Sequence, residues 1–341
     1  MPVSLVQLSN GTERRVALVD EPYLRCLEGV SSVYELAQSC LQKSASMSAE
    51  AGRLATGETL SYDEVYDGLS TWRLLTPIDV PGEPSRLLVA GTGLTHLGSA
   101  RQRQTMHLAG QKAEPKKDEV LTDSMRMFQW GVENGRPAEG QIGIAPEWFY
   151  KGDGSCLRAP FEPLDIPSHA EDGGEEAELA GIYLIAPDGM PFRIGIAQGN
   201  EFSDHKFEKR NYLNLAGSKL RSCSLGPELI VGAAFGDIHG HVRIERKGIT
   251  RWEKEIASGE ANMCHSLANL EHHHFKFAGH RQPGQVHVHF FGADALSFGV
   301  GIGLEDGDVA EVRFEGFGRA LRNPIHEDVK SNQPVRVQAL A

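Results

Sequence analysis

From Arg86 onward the sequence breaks into short β-branched and aromatic runs, RLLVAGTG, GIYLIAP, FRIGIAQGNEF, LIVGAAF, HVRIER, QVHVHFFGA and AEVRFEGFG, separated by Gly, Pro or Asp. So many short strands with frequent turns predict a β-rich barrel or sandwich-like core. Residues 1–83 read differently. A strand-like opening (RVALVD) leads into helical patterns around 33–55 and 61–69 and then into Pro/Gly punctuation from Pro77 to Pro84, which predicts a small N-terminal domain ahead of a core domain over 84–341. Two further helices are expected near 97–111 and 119–134, with GQKAEPKKDE between them as an exposed polar loop. The expected class is α+β with strands dominant.

Charge narrows the partners. Lys plus Arg number 34 against 46 Asp plus Glu, a net charge of −12, which repels phosphate backbones and anionic lipid. Nucleic acid and membrane surfaces are therefore set aside, while an anionic substrate stays open, because a bound divalent cation reverses the sign inside one pocket. The first residues lack a basic start before an apolar run, and no stretch approaches the ~18 apolar residues of a membrane span. The chain is read as cytoplasmic. Its cysteines, Cys26, Cys40, Cys156, Cys223 and Cys264, are odd in number, scattered and free of C-x-x-C spacing, as expected of reduced structural thiols.

The chemistry centres on GGEEAELAGIYLIAP, where Glu176 and Glu178 stand two apart at the start of an apolar run. On a strand both carboxylates project from one face. Taken alone, the pair also suits an exposed strand edge. Against a core, two acids on one face are costly unless something positive sits between them, and a hard cation held by carboxylates plus water and substrate is the economical answer. Glu201 follows at another Gly-flanked strand end, FRIGIAQGNEFSD, and Lys219 lies in AGSKLRSCSLGPELIVG, where Ser-Leu-Gly-Pro makes a tight turn.

This order resembles the catalytic core of the fumarylacetoacetate hydrolase superfamily: E-x-E at a strand start, a third acid at a strand end, then a Lys and a P-L-G-P turn. Upstream, PEWFYKGDGSCL is similar to the family's Pro-x-x-Phe-x-Lys run, and downstream LEDGDVAEVRFEGFGRALRNPI is similar to its closing G-x-G-x-L-x-N segment. The resemblance, strongest to the sugar-acid branch, implies a mixed β-sandwich roll or barrel core. It makes Glu176, Glu178 and Glu201 ligands of Mg²⁺, with Mn²⁺ or Ca²⁺ as substitutes, and places Lys219 beside the substrate. It also implies a small 2-oxo acid substrate and a homodimer. Lys151, Arg210, His289 and Asp294 are assigned to substrate binding.

Two departures refine this. The third ligand, usually Asp, is Glu201, one methylene longer. At GTGLTHLGSARQ, where hydrolytic members carry a His-Glu pair that activates water, His96 has Ser99 three residues on instead of an acid. Glu147 in PEWFYK lies where the sugar-acid dehydratases carry an acid, and is either a proton-abstracting base or a surface Glu at a strand start. The expected activity is Mg²⁺-dependent dehydration of a 2-keto-3-deoxy sugar acid, such as a pentonate, to 2,5-dioxopentanoate. The alternatives are hydrolysis of a carbon–carbon bond in a 2,4-dioxo acid, with His96 catalytic, and a sugar-acid-binding protein without turnover. Elsewhere, His272 to His274 are read as solvated surface, His287 and His289 as strand residues lining the pocket, and Asp237 to His241 as a turn. The glycines from Gly299 to Gly303 do not match a dinucleotide-binding loop.

Overall fold

The computed structural model describes residues 2–109, 122–329 and 333–340. The polar segment expected as a loop from Gly110 lies outside these residues. The N-terminal part supplies strands β1 (Val3–Ser9), β2 (Arg14–Asp20), β3 (Tyr23–Leu27), β4 (Ala55–Ser61) and β5 (Arg73–Leu74), with helices α1 (Val33–Lys43), α2 (Met47–Leu54) and α3 (Tyr62–Tyr66). Each helix starts where the sequence offers a serine cap: the hydroxyls of Ser32, Ser46 and Ser61 accept from the amides of Glu35, Ala49 and Glu64. Next come β6 (Leu87–Gly93), α4 (Leu97–Ala109), α5 (Asp123–Asn134), β7 (Glu147–Asp153), β8 (Leu157–Arg158) and β9 (Leu164–Ile166). The remainder carries β10 (Ala177–Ile185), β11 (Pro191–Asn200), α6 (His205–Arg210), α7 (Leu215–Lys219), β12 (Cys223–Leu225) and β13 (Leu229–Val231). It closes with β14 (Ile238–Arg246), β15 (Ile249–Ser258), α8 (Leu267–Phe275), β16 (Val286–Phe290), β17 (Val309–Phe314) and β18 (Leu321–Glu327).

Among the described residues these strands form a 13-stranded mixed sheet, running β4-β3-β2-β1-β13-β11-β10-β16-β6-β7, and a 5-stranded sheet, β15-β14-β17-β18-β9. This is the expected β-rich α+β fold. The N-terminal strands continue the large sheet, because β1 pairs antiparallel with β13, Val3 opposite Val231 and Leu5 opposite Leu229. Strand β10 is buried along its whole length, as its almost unbroken apolar sequence requires of a central strand. Its alternate residues serve two cores. Ala180, Ile182 and Leu184 pack toward α1 and α2, whereas Ala177 and Leu179 pack with Val242, Val312 and Phe314 of the smaller sheet.

The Ser-Leu-Gly-Pro segment makes the expected turn between β12 and β13, through a cis Gly226–Pro227 peptide. Two expectations are corrected. Ile238 to His241 open strand β14 instead of forming a turn, with Asp237 in the bend just before it, because Ile238 and Gly240 register against Ser258 and Ile256 of β15. His272 to His274 lie on α8, where the helical period, unlike a strand's, carries His273 and His274 inward, so both are buried. No helix among the described residues is long and apolar enough to cross a membrane.

Candidate active site

The hairpin of β10 and β11 brings the acids together. Ala177 stands opposite Asn200 and Glu178 opposite Gly199, which leaves Glu176 and Glu201 facing each other at the open end. There the Glu201 amide donates to the Glu176 carbonyl at 2.9 Å, and the Glu176 amide donates to Asn200 Oδ1 at 3.0 Å. Glu176, Glu178 and Glu201 each offer one carboxylate oxygen within 4.8 Å of the others, all buried. Glu178 Oε2 also accepts from the Gly292 amide at 2.6 Å, just beyond β16.

Two lysines and a histidine meet this cluster. Lys219, at the end of α7, reaches Glu176 Oε1 at 2.6 Å and Glu201 Oε2 at 2.5 Å, with its ammonium 4.5 Å from the centre of the Phe149 ring. Lys151 of β7 lies 2.8 Å from Glu201 Oε1 and donates to the Phe202 carbonyl. His205 Nε2 is 3.0 Å from Glu176 Oε1. That approach depends on Gly174, where a Cβ would stand 2.1 Å from His205 Nδ1. A second ionic group borders the first: Arg103 of α4 contacts Glu147 at 2.7 and 2.9 Å and Glu208 at 2.9 Å. Gly93 makes room for it, since a Cβ there would lie 1.9 Å from Glu147 Oε1.

The carboxylates are not equivalent. Burial disfavours the charge on Glu176, yet Lys219 and His205 outweigh it and hold this acid well below the usual carboxylate range. Burial, then the charges of Glu176 and Glu201, push Glu178 well above that range. Burial also raises Glu201, against the pull of Lys151 and Lys219. Burial works against the Lys219 ammonium, but Glu176 and Glu201 overcome it and secure its charge. Five buried or nearly buried acids, Glu147, Glu176, Glu178, Glu201 and Glu208, thus face Lys151, Lys219 and Arg103, with His205, raised against burial by Glu176, as a further partner. An all-oxygen ligand set suits a hard ion such as Mg²⁺, so the residues present fit the expected cofactor.

The other expected residues are placed as follows. Pairing across β6 and β7 sets Glu147 opposite Gly93 and Phe149 opposite Gly91, so Glu147 and Phe149 share one face and Trp148 takes the other. His96 is buried; its Nδ1 lies 2.9 Å from the Thr95 hydroxyl, its Nε2 has no partner among the described residues, and burial lowers it to about 4. Asp294 accepts from the Ala257 amide at 3.2 Å. His289 stands opposite Gly181, whereas Glu178 points to the other side of β10, and its Nε2 lies 2.6 Å from the Thr92 hydroxyl. Arg210 is 67% exposed and pairs with Glu171 at 2.8 Å, so it is not gathered with the acids. Arg103, His205 and Glu208 were not anticipated. Arg103 lies in an unremarkable polar helix, while His205 follows the acidic cap Asp204, a start signal for α6 that marks position without chemistry.

The fold and the buried acid cluster define a class: an α+β protein built around a carboxylate site suited to a divalent cation. No family model matches the chain, and no curated protein matches it. Solved structures do. 2-Keto-3-deoxy-D-arabinonate dehydratase complexed with magnesium and 2,5-dioxopentanoate superposes with a TM-score of 0.68 at 16% identity, over 96% of this chain and 100% of that one. 2-Hydroxyhepta-2,4-diene-1,7-dioate isomerase from Mycobacterium marinum follows with 0.58 at 15% identity, over 96% and 100%. 5-Carboxymethyl-2-hydroxymuconate delta-isomerase from Mycobacterium smegmatis gives 0.56 at 16% identity, over 95% and 100%. These likenesses bear out the expected fold, which the chain shares with the dehydratase and with both isomerases.

Proposed function

We propose that this chain is a Mg²⁺-dependent lyase of the fumarylacetoacetate hydrolase superfamily that dehydrates a 2-keto-3-deoxy sugar acid, a pentonate for instance, to 2,5-dioxopentanoate. The observation that carries the reading is the pairing of a three-carboxylate cluster with an acid, Glu147, on the same face of the sheet, while His96 has a threonine hydroxyl, not a carboxylate, at its Nδ1. A histidine base needs an acid to hold its tautomer and stabilise its charge, so the geometry favours Glu147 as the base. The dehydratase complex with magnesium and 2,5-dioxopentanoate supports the substrate class.

Glu176, Glu178 and Glu201 would hold Mg²⁺, which supplies Lewis acidity and a template for the carboxylate and keto oxygens of a 2-oxo acid. Glu147, steadied by Arg103, takes the C3 proton. Lys219 sets a fixed positive charge where the departing C4 hydroxyl gathers negative charge, and the hydroxyl leaves as water with the equivalent of the proton that Glu147 took from C3, passed through solvent. A proton leaves C5 and one returns to C3, which moves the double bond to C4–C5, and ketonisation of that enol, its hydroxyl proton passing to C4, gives the aldehyde. Lys151 opposes the burial that raises Glu201 and orients its carboxylate. The test is to incubate the protein with Mg²⁺ and 2-keto-3-deoxypentonates and assay the semialdehyde. Release of pyruvate from 2,4-dioxo acids, with no semialdehyde from any pentonate, transfers the assignment to the hydrolase.

A further inference from the structure

Behind the carboxylate site, on the opposite face of the same strands, lies a second cluster of potential ligands. His274 of α8, His280 in the turn that follows and His287 of β16 place one ring nitrogen each within 4.8 Å of the others. The ring centres of His274 and His280 are 4.9 Å apart, those of His274 and His287 5.0 Å, and those of His280 and His287 5.6 Å. Three imidazoles on a tetrahedral zinc ion, with Zn–N of about 2.0–2.1 Å, hold their ring centres ~5.2 Å apart. The observed triangle is that size.

Second contacts already orient two of the rings. His280 Nδ1 lies 2.6 Å from the His274 carbonyl, so it carries the proton and leaves Nε2 as a lone pair. His287 Nε2 lies 3.1 Å from Gln285 Oε1, which leaves Nδ1 as a lone pair in the same way. Imidazole N–H groups held by carbonyl oxygens are the usual outer support of metal-ligating histidines. The third ring is tied differently: the Trp148 indole donates to His274 Nδ1 at 3.1 Å, and His274 Nε2, 2.9 Å from His287 Nδ1, points its proton at that ring. Burial keeps His274 and His287 neutral, the form that binds metal, and partly exposed His280 opens the group to solvent.

We propose that His274, His280 and His287 form a binding site for a borderline transition-metal cation of the Zn²⁺, Ni²⁺ or Cu²⁺ class, separate from the carboxylate centre. An all-nitrogen donor set selects such ions over Mg²⁺ and Ca²⁺. The cation takes the place of the hydrogen bond between His274 Nε2 and His287 Nδ1. The His274 proton moves to Nδ1, all three ligands stay neutral and no proton is released, but two donors cannot face each other, so the Trp148 indole turns away.

The test titrates Zn²⁺ into the full-length protein in excess Mg²⁺, by calorimetry and tryptophan fluorescence, with X-ray absorption on the loaded sample. The expected result is one equivalent bound through nitrogen ligands, a fluorescence change absent from Trp148→Phe, and full retention in Glu178→Gln. His280→Ala, at a half-exposed turn whose loss spares the fold, lowers the affinity at least tenfold, and His287→Gln does the same. No binding, or binding that survives His280→Ala and disappears in Glu178→Gln, overturns the site.

Discussion

On one face of β10, β16, β6 and β7, acids outnumber the fixed cations beside them and Glu178 is pushed toward protonation; on the reverse face, His274, His287 and Trp148 hand hydrogen bonds from one neutral ring to the next. The strands, the burial and the backbone are common to both. Only the alternation of side chains separates them: Glu147 and Trp148 are neighbours in sequence and face opposite ways. A buried polar group is tolerated when its partners complete its hydrogen bonds, a condition that His274 and His287 meet with protein alone, although His289 Nδ1 beside them has no partner among the described residues. The carboxylate face does not meet it. Its crowded acids are the mark of a site completed by something from outside, which is why perturbed acids point to function more sharply than buried histidines do.

The largest effects test the acid face. Chelation with EDTA is expected to abolish turnover and added Mg²⁺ to restore it, while Glu176→Gln, Glu178→Gln or Glu201→Gln should each lower kcat on the order of 10²–10³-fold, the scale of losing one electrostatic contact at a reacting centre. Unchanged activity in EDTA would dismiss the cation. Because Glu178 is held up by burial and by its neighbours' charges, Glu178→Gln should also raise the melting temperature of the metal-free protein even as it stops catalysis. A fall in that temperature would show that crowding to be illusory.

Glu147→Gln is expected to cost about 10²–10⁴-fold in kcat, the range for a general base, whereas His96→Gln should cost little. The reverse pattern, measured on the same substrate, would favour the hydrolase. For Lys219→Met, kcat and kcat/KM should fall together, as for a group that acts in the transition state. Its ion pairs with Glu176 and Glu201 also allow a purely structural role, which a loss of Mg²⁺ affinity with kcat kept at saturating metal would reveal. Stability should drop by about 3–5 kcal/mol in metal-free Lys219→Met, since two buried carboxylates lose their partner.

The smallest effect contrasts the two kinds of group through pH. Burial lowers His96 and His265 from 6.5 to about 4, so below pH 6.5 the unfolded chain takes up protons that the folded chain refuses. Their contribution is complete above 6.5 and declines toward pH 4, by up to about 1.4 kcal/mol per pH unit for each histidine. Glu178, raised instead, keeps its proton in the fold after the unfolded chain has released it, so without metal it erodes stability as pH rises above the usual carboxylate range. Urea unfolding in EDTA between pH 4 and 6.5 should therefore show a shallower rise in His96→Gln than in wild type and a steeper rise in Glu178→Gln. Parallel curves for all three proteins would mean that neither group is as secluded as the structure has it.

Much of the acid face was legible beforehand, for a physical reason: Glu176 and Glu178 are two apart on an apolar strand, and Glu201 ends the strand that pairs with it, so local periodicity carries most of the geometry. Lys219 needed the order of motifs as well. Arg103 and His205 depend on α4 and α6 packing across the site, and no local pattern encodes such packing. The α8 histidines are not solvated surface because a helical period of 3.6 residues turns His273 and His274 inward and leaves His272 partly exposed. The continuity of the N-terminal strands with the large sheet rests on the pairing of β1 with β13, a contact more than two hundred residues apart in sequence.

That distance bears on the order in which the molecule assembles. The β10–β11 hairpin closes over a short stretch and can form early, whereas β1 must wait for β13, so the acids meet before the far half of the sheet is in place. A nascent hairpin that gathers Glu176, Glu178 and Glu201 repels itself until Lys219 or a cation arrives. Refolding from denaturant should therefore be quicker with Mg²⁺ present from the start than with Mg²⁺ added at the end.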